Sequence, residues 1–297
     1  MSGVTVSAEV LAVVVAMVDG CPCVLTLDPP LRLPSGPLLP SHRSLQQATR
    51  AWVEEQTGRE LGYLEQLYTF ADVDRTDSGR EISVSYLGLT TQGAPGIGDW
   101  QCWYDLFGWE DRRHGAEVVE DQLAAPLLEW AKADHELSEE RHRRVAITFG
   151  LNGRPWRPDL VLQRYELLYE AGLVPESPIA SDSPQAPGLR MLGDHRRVLA
   201  TGLARLRAKI SYRPVVFELL PAQFTLRQLQ ACVEALAGQQ VHTQNFRRVV
   251  EQQELVEETG STLAQTGGRP ARLYRFRRQV LAERSVAGTK LPTSRPQ

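Results

Sequence analysis

The sequence predicts an α+β fold: a mixed sheet/helix sandwich with a helical insertion, followed by a winged helix-turn-helix unit. Three observations carry this. The 297 residues are 42% hydrophobic, enough apolar material for two modest cores. β-branched runs near the start give way to an amphipathic helix and two further strand-like runs. The C-terminal part reads helix, turn, helix, hairpin, and it is basic: residues 210–290 carry eleven Lys/Arg against seven Asp/Glu, a balance of +4, while the rest of the chain stands at −7. That asymmetry points to an anionic partner at the C-terminal end.

Val10 to Val18 and Val24 to Leu27 read as two strands around an Asp19-Gly20 turn. The first run lacks a preceding basic residue and is too short to span a bilayer, so the chain is expected in the cytoplasm. Leu33-Pro34-Ser35-Gly36-Pro37 is a loop, and Ser44 opens a helix with Leu45, Ala48 and Trp52 on one buried face that stops at Thr57-Gly58. Tyr63 to Phe70 and Glu81 to Thr90 form a hairpin across the polar segment 72–80. The aromatic group Trp100, Trp103, Tyr104, Phe107 and Trp109 reads as packing. Residues 118–175 are mainly helical, Ser177 to Gly188 an exposed loop, and a helix runs from His195 to Lys209. The expected division is a sandwich over 5–209 with its insertion at about 118–188, a DNA-binding unit over 210–285 and a tail over 286–297. Cys21, Cys23, Cys102 and Cys232 lack a second pair at zinc spacing and read as free thiols.

The loop and helix from Leu33 to Gly58 match in length and layout the box of Nudix hydrolases, in which glutamates at i, i+3 and i+4 on one helical face hold Mg²⁺ against a pyrophosphate. Aligned on Thr57-Gly58, those positions hold Trp52, Glu55 and Gln56, and Arg43 stands where a further glutamate is expected. A one-residue shift places Ala51, Glu54 and Glu55 there instead. Either register leaves the carboxylate set incomplete, which disfavours hydrolysis and predicts no metal site.

In the C-terminal part Thr225 is placed to cap a helix with the stripe Leu226, Leu229, Val233 and Leu236, ended by Gly238. A second helix begins at His242-Thr243; Phe246, Val249 and Val250 face inward and Gln244, Asn245, Arg247 and Arg248 outward. Gln and Asn side chains suit adenine edges, and Arg suits guanine or phosphate. Gly267-Gly268-Arg269-Pro270-Ala271-Arg272 forms the tip of a wing returning through Leu273 to Phe276, and residues 260–290 hold seven Lys/Arg against one Glu. Gln244, Asn245 and Arg247 are candidates for base-edge or adjacent backbone contacts, Arg248, Arg269 and Arg272 for phosphate or minor groove, and Thr243 for capping the helix or touching phosphate.

Taken together, Arg50 to Gly58, Leu64 to Phe70, Asp194-His195-Arg196, Arg205 to Lys209, Phe224-Thr225-Leu226, Asn245 to Arg248 and Gly268 to Arg272 resemble the Nudix-related transcriptional regulators of NAD metabolism, most closely the NadQ type. The resemblance implies a homodimeric repressor binding a palindromic operator on double-stranded DNA upstream of NAD biosynthesis genes. It also implies an adenine nucleotide effector (NAD, ADP-ribose or ATP) and no required cofactor. Trp52, Glu55, Tyr68, Arg80 and Tyr86 are the expected ligand pocket. The alternative is a hydrolase of ADP-ribose-like substrates with an appended winged helix.

Overall fold

The computed structural model describes residues 6–71, 80–91, 96–181, 185–210, 215–263 and 270–277. Its first layer is a six-stranded mixed sheet centred on β1 (Val6–Val18). Asp19 and Gly20 both adopt positive φ, 49° and 79°, as a two-residue hairpin turn requires, and this sets Val18 opposite Cys21 in β2 (Cys21–Thr26). β2 and β3 (Ser35–Pro37) share one side of β1, while β5 (Arg80–Leu89) runs parallel along the other, with β4 (Tyr63–Phe70) antiparallel outside it and β6 (Asp99–Cys102) outside β2.

Both faces of β1 are covered, which is why Val10 to Ala16 form an unbroken buried run instead of alternating. On one face Ala12 and Val14 pack with Leu25, Leu61 and Val53 of α1 (Leu45–Thr57). Ser44 accepts a bond from the Gln47 N–H to cap this helix, and Gly58 closes it at φ 67°. The buried stripe is Ala48, Thr49, Val53 and Thr57. It is rotated from the expected Leu45, Ala48, Trp52 face, leaving Leu45 and Trp52 half-buried. Both threonines are tolerated there because each hydroxyl donates to the carbonyl four residues back, Leu45 and Val53.

On the other face Leu11, Val13 and Val15 join the core that includes Val198, Leu199, Leu203 and Leu206 of α6 (His195–Ile210). A Cβ on Gly202 would stand 2.9 Å from the Val13 side chain, so this glycine sets how closely the helix approaches. Between β6 and α6 the chain forms α2 (Trp103–Leu106), a π-helical turn (Val118–Leu123) running into α3 (Ala124–Lys132), α4 (Ser138–Phe149) and α5 (Val161–Glu170). The expected insertion is therefore helical, and its Leu127, Phe149, Tyr165 and Leu168 belong to the same core as the sheet. The stretch from Ser177 to Gly188, expected as an exposed loop, is anchored. Ala186 is buried and donates to the Leu173 carbonyl, and buried Arg196 reaches the Pro187 carbonyl as well as Glu176.

The expectation of four free thiols is corrected. Pairing of β2 with β6 brings Cys102 beside the Cys-x-Cys segment, and Cys21 and Cys102 are joined as a disulfide with Cα atoms 6.1 Å apart, leaving Cys23 and Cys232 free and buried. An 81-residue separation hides that proximity from local spacing.

After a 3₁₀ turn (Val215–Leu219) come α7 (Leu226–Ala237), α8 (Thr243–Gln252) and the hairpin β7 (Val256–Leu263) and β8 (Ala271–Phe276). Thr225 and Gln228 form a reciprocal capping box on α7. The end of α7 is held from outside. The Arg207 Nε donates to Leu236 O at 2.8 Å, the Tyr104 hydroxyl to Ala235 O at 2.5 Å and the Arg112 N–H to Gly238 O at 2.8 Å. Arg207 in turn bonds Glu110, whose carboxylate also receives Arg164 Nε at 2.6 Å and Nη2 at 2.8 Å, with all three side chains fully buried. Among the described residues no helix is long and apolar enough to cross a membrane.

Glu110→Gln removes a charge that two buried guanidiniums share, so it is expected to lower stability by about 3–5 kcal/mol near neutral pH. Burial alone would raise the Glu110 pKa, but Arg164 and Arg207 hold it below the ordinary carboxylate range. Such a group stabilises the fold above its unfolded pKa, and the contribution is lost as pH falls through the folded value. Denaturant titrations of both proteins should therefore show the gap narrowing below about pH 4.

Candidate nucleic-acid interface and ligand-binding face

α8 is an amphipathic helix with a narrow anchor. Phe246 and Val250 are buried, Val249, expected inward, is half-buried, and Thr243, Gln244, Asn245, Arg247 and Arg248 are all exposed on the outer surface. Two α7 side chains fix its departure angle. Gln230 donates to Val241 O at 2.9 Å and to the Thr243 hydroxyl at 3.2 Å, and the Glu234 carboxylate receives the Val241 N–H at 2.9 Å. Thr243 is thus a hydroxyl held by α7 at the first helical position; the N-cap is His242, which makes no side-chain capping bond. Arg248 bridges Asn245 Oδ1 at 2.8 Å and Gln252 Oε1 at 3.2 Å along the exposed face. These contacts present amide and guanidinium groups together, as base-edge and phosphate recognition both need.

The wing is tied to the helices by main-chain bonds in both directions between Phe224 and Tyr274, and by Phe217 stacked on Phe276 at 4.3 Å. On β8, exposed Arg272 pairs with Glu258 at 2.7 Å and Arg275 with Glu257 at 2.6 Å. Arg269, at the expected tip, lies outside the described residues.

Of the five residues expected to form a ligand pocket, the four whose side chains are described do not converge on one pocket. Trp52 packs over Gly36, where a Cβ would stand 2.4 Å from its ring, and donates from Nε1 to Pro37 O at 3.0 Å. Gln56 clamps Ser35, accepting from its N–H at 3.1 Å and donating to its carbonyl at 2.8 Å. Two of the three positions where a Nudix helix would hold Mg²⁺ are therefore bonded to β3, while Glu54 and Glu55 are exposed. In that register the donor set does not fit the metal, and the shifted register offers only Glu54 and Glu55 of the three carboxylates. Tyr86 is buried and stands opposite Ala12, which places it on the α1 side of the sheet. Tyr68 is exposed on β4 with its ring centroid 5.0 Å from that of Phe70 in an edge-on arrangement, and Phe70 lies under the Arg197 guanidinium of α6. Arg80 opens β5, and its side chain lies outside the described residues.

A cavity of about 1020 Å³ lies elsewhere, between the sheet (Tyr63, Leu89, Thr90) and the winged unit (Phe217, Phe224, Arg275). Sequence reading missed it, together with the Glu110–Arg164–Arg207 cluster. Arg207 did fall within a segment carrying the resemblance, but its partners lie 97 and 29 residues away, and nothing local marks them.

Residues 216–276 match the NrtR DNA-binding winged helix domain. Among curated proteins, the ADPR responsive transcriptional repressor NtrR of Acinetobacter baylyi is 38% identical over 92 residues. That stretch spans 31% of this chain and 36% of the relative. The crystal structure of Shewanella oneidensis NrtR complexed with a 27mer DNA superposes over 93% of this chain and 95% of that one, with a TM-score of 0.54 at 22% identity. A MutT/nudix family protein from Enterococcus faecalis gives 0.55 over 93% of this chain and 88% of that one, at 16% identity. The fold is thus a Nudix-like mixed α/β unit followed by a winged helix, as expected from the sequence.

The exposed α8 residues carry none of the packing. Gln244→Ala and Arg247→Ala should leave the unfolding midpoint within about 0.5 kcal/mol of the parent. Phe246→Ala should cost about 3–5 kcal/mol, read in the same denaturant titration.

Proposed function

We propose that this chain is a DNA-binding transcriptional regulator, a repressor of NAD biosynthesis genes whose Nudix-like unit binds an adenine nucleotide without hydrolysing it. The observation that carries the reading is the outer face of α8: five polar and cationic side chains exposed together on a helix whose angle α7 fixes, inside a stretch matching a DNA-binding winged helix domain. In this reading Gln244, Asn245 and Arg247 read base edges or the adjacent backbone, Thr243 touches the backbone, and Arg248, Arg269 and Arg272 lie against phosphate or minor groove. A homodimer places two such helices on successive major-groove faces of a palindromic operator, about one helical turn or roughly 34 Å apart.

The α1 side of the sheet, carrying Trp52, Glu55 and Tyr86, is the nucleotide-binding side in this account, with Arg80 at the start of β5; Tyr68 lies beside Phe70 on the α6 side and falls outside it. ADP-ribose is the first nucleotide to test, since the Acinetobacter relative is an ADPR-responsive repressor; NAD and ATP are the others. Hydrolysis is disfavoured because Trp52 and Gln56 bond β3 where carboxylates would be needed.

A gel-shift titration on the promoter region of the host's NAD biosynthesis genes, against unrelated competitor DNA, tests the reading. Saturable, competitor-resistant binding is expected, falling steeply with salt. Arg248→Ala should weaken binding to all sequences and reduce the salt slope by about one, whereas Asn245→Ala should cost about 1–3 kcal/mol on the operator alone. Salt-insensitive binding, or no specific shift, would remove the proposal. The Trp52→Glu/Gln56→Glu double variant restores the carboxylates of the register aligned on Thr57-Gly58 and should release product from ADP-ribose with Mg²⁺ only if the pocket is otherwise intact. Turnover by the unsubstituted chain would favour the hydrolase.

A further inference from the structure

The Cys-x-Cys segment has no use in DNA or nucleotide recognition, yet the fold gives it a third member. Cys21 and Cys23 are two apart on β2 and so point to the same face, and Cys102 is the direct antiparallel partner of Cys23 on β6. The three sulfurs lie within 4.8 Å of one another. Cys23 is buried, while Cys21 and Cys102 are half-buried and open to solvent on one side. Asp105, in α2 directly after Cys102, and Asp19, in the β1–β2 turn, place two carboxylates near enough to Cys23 to act on it electrostatically.

A disulfide uses two sulfurs and leaves this third one unexplained. Three thiolates on two adjacent strands match instead the donor set of a soft, thiophilic metal ion. Metal–sulfur bonds of about 2.3 Å in tetrahedral geometry put sulfurs about 3.8 Å apart, so this cluster needs side-chain rotation of roughly 1 Å and no movement of strands. Hard cations such as Mg²⁺ prefer oxygen and would not be held.

We propose that Cys21, Cys23 and Cys102 form a three-thiolate site for a soft metal ion of the Zn²⁺ or Cu⁺ class, available when the Cys21–Cys102 disulfide is reduced. A dithiol reductant delivers two electrons and two protons across the S–S bond and itself closes to a disulfide. The three thiols then bind the ion as thiolates with release of three protons to solvent, and for Zn²⁺ water or a neighbouring carboxylate completes the tetrahedral shell. The oxidised form offers one thiol and does not bind. This inference is independent of the regulatory reading, so each stands or falls alone.

Cd²⁺ is the probe, because thiolate coordination gives it an ultraviolet sulfur-to-metal absorption. The full-length chain, reduced with a phosphine and freed of excess reductant, should take up one Cd²⁺ with that absorption, and Zn²⁺ but not Mg²⁺ should compete. Cys23→Ser, Cys21→Ser and Cys102→Ser should each weaken binding by at least about tenfold, while Cys232→Ser, on α7, should leave it unchanged. In the unsubstituted protein, Cd²⁺ should protect Cys21, Cys23 and Cys102 from alkylation as mapped by mass spectrometry, which keeps the test valid if a variant folds poorly. No absorption in the reduced chain, no protection of the three cysteines, or unweakened binding by Cys23→Ser would overturn the site.

Discussion

The Glu110 carboxylate is the point through which the parts of this molecule are held together. It lies after α2, receives Arg164 from α5 and Arg207 from α6, and is fully buried, so its charge is compensated by those guanidiniums and not by water. Arg164 also donates to the carbonyls of Thr148, Arg157 and Pro158, and Arg207 to those of Leu236 at the end of α7, Pro158 and Glu110. A buried guanidinium has five donors and cannot shed its proton, so once one bond is set the others are constrained by its planar geometry. The helical segment, the helix beneath the sheet and the first helix of the winged unit thereby share one network.

This arrangement bears on the regulation proposed above. A ligand changes a protein's affinity for DNA only to the extent that it binds one conformation better than another. Orphan carbonyls at the end of α7 bond Arg207, Tyr104 and Arg112 from the Nudix-like side, and α7 in turn fixes α8 through Gln230 and Glu234. The path from the sandwich to the recognition surface is a short series of buried, directional bonds. Loss of one bond leaves a buried polar group unpaired, so the junction favours discrete arrangements over gradual bending.

Much of the fold was legible because it is locally encoded. The Asp19-Gly20 turn, the Ser44 and Thr225 caps, the glycines at 58 and 238 and the outer face of α8 each follow from residues within a few positions of one another. What escaped reading depends on distant pairing. The Cys21–Cys102 bond needs β6 beside β2, and the Glu110 network joins segments 54 and 97 residues apart. The ligand residues are inferred from the layout of a Nudix helix and the adjoining strands; that Trp52 and Gln56 bond β3 is a use that their sequence positions alone do not reveal. The register of α1 was displaced for a related reason: threonine reads as polar, yet Thr49 and Thr57 satisfy their hydroxyls inside the helix and can be buried.

The central claim is that the sandwich and the winged helix are energetically linked through a bound nucleotide. Fluorescence anisotropy of a labelled operator duplex, titrated with the protein at fixed salt with and without saturating ADP-ribose, NAD or ATP, measures that linkage directly. The account predicts that one of these nucleotides shifts the operator dissociation constant by about 5–150-fold, and that operator DNA shifts that nucleotide's affinity by the same factor. Specific operator binding that is identical with all three nucleotides and with none would contradict it.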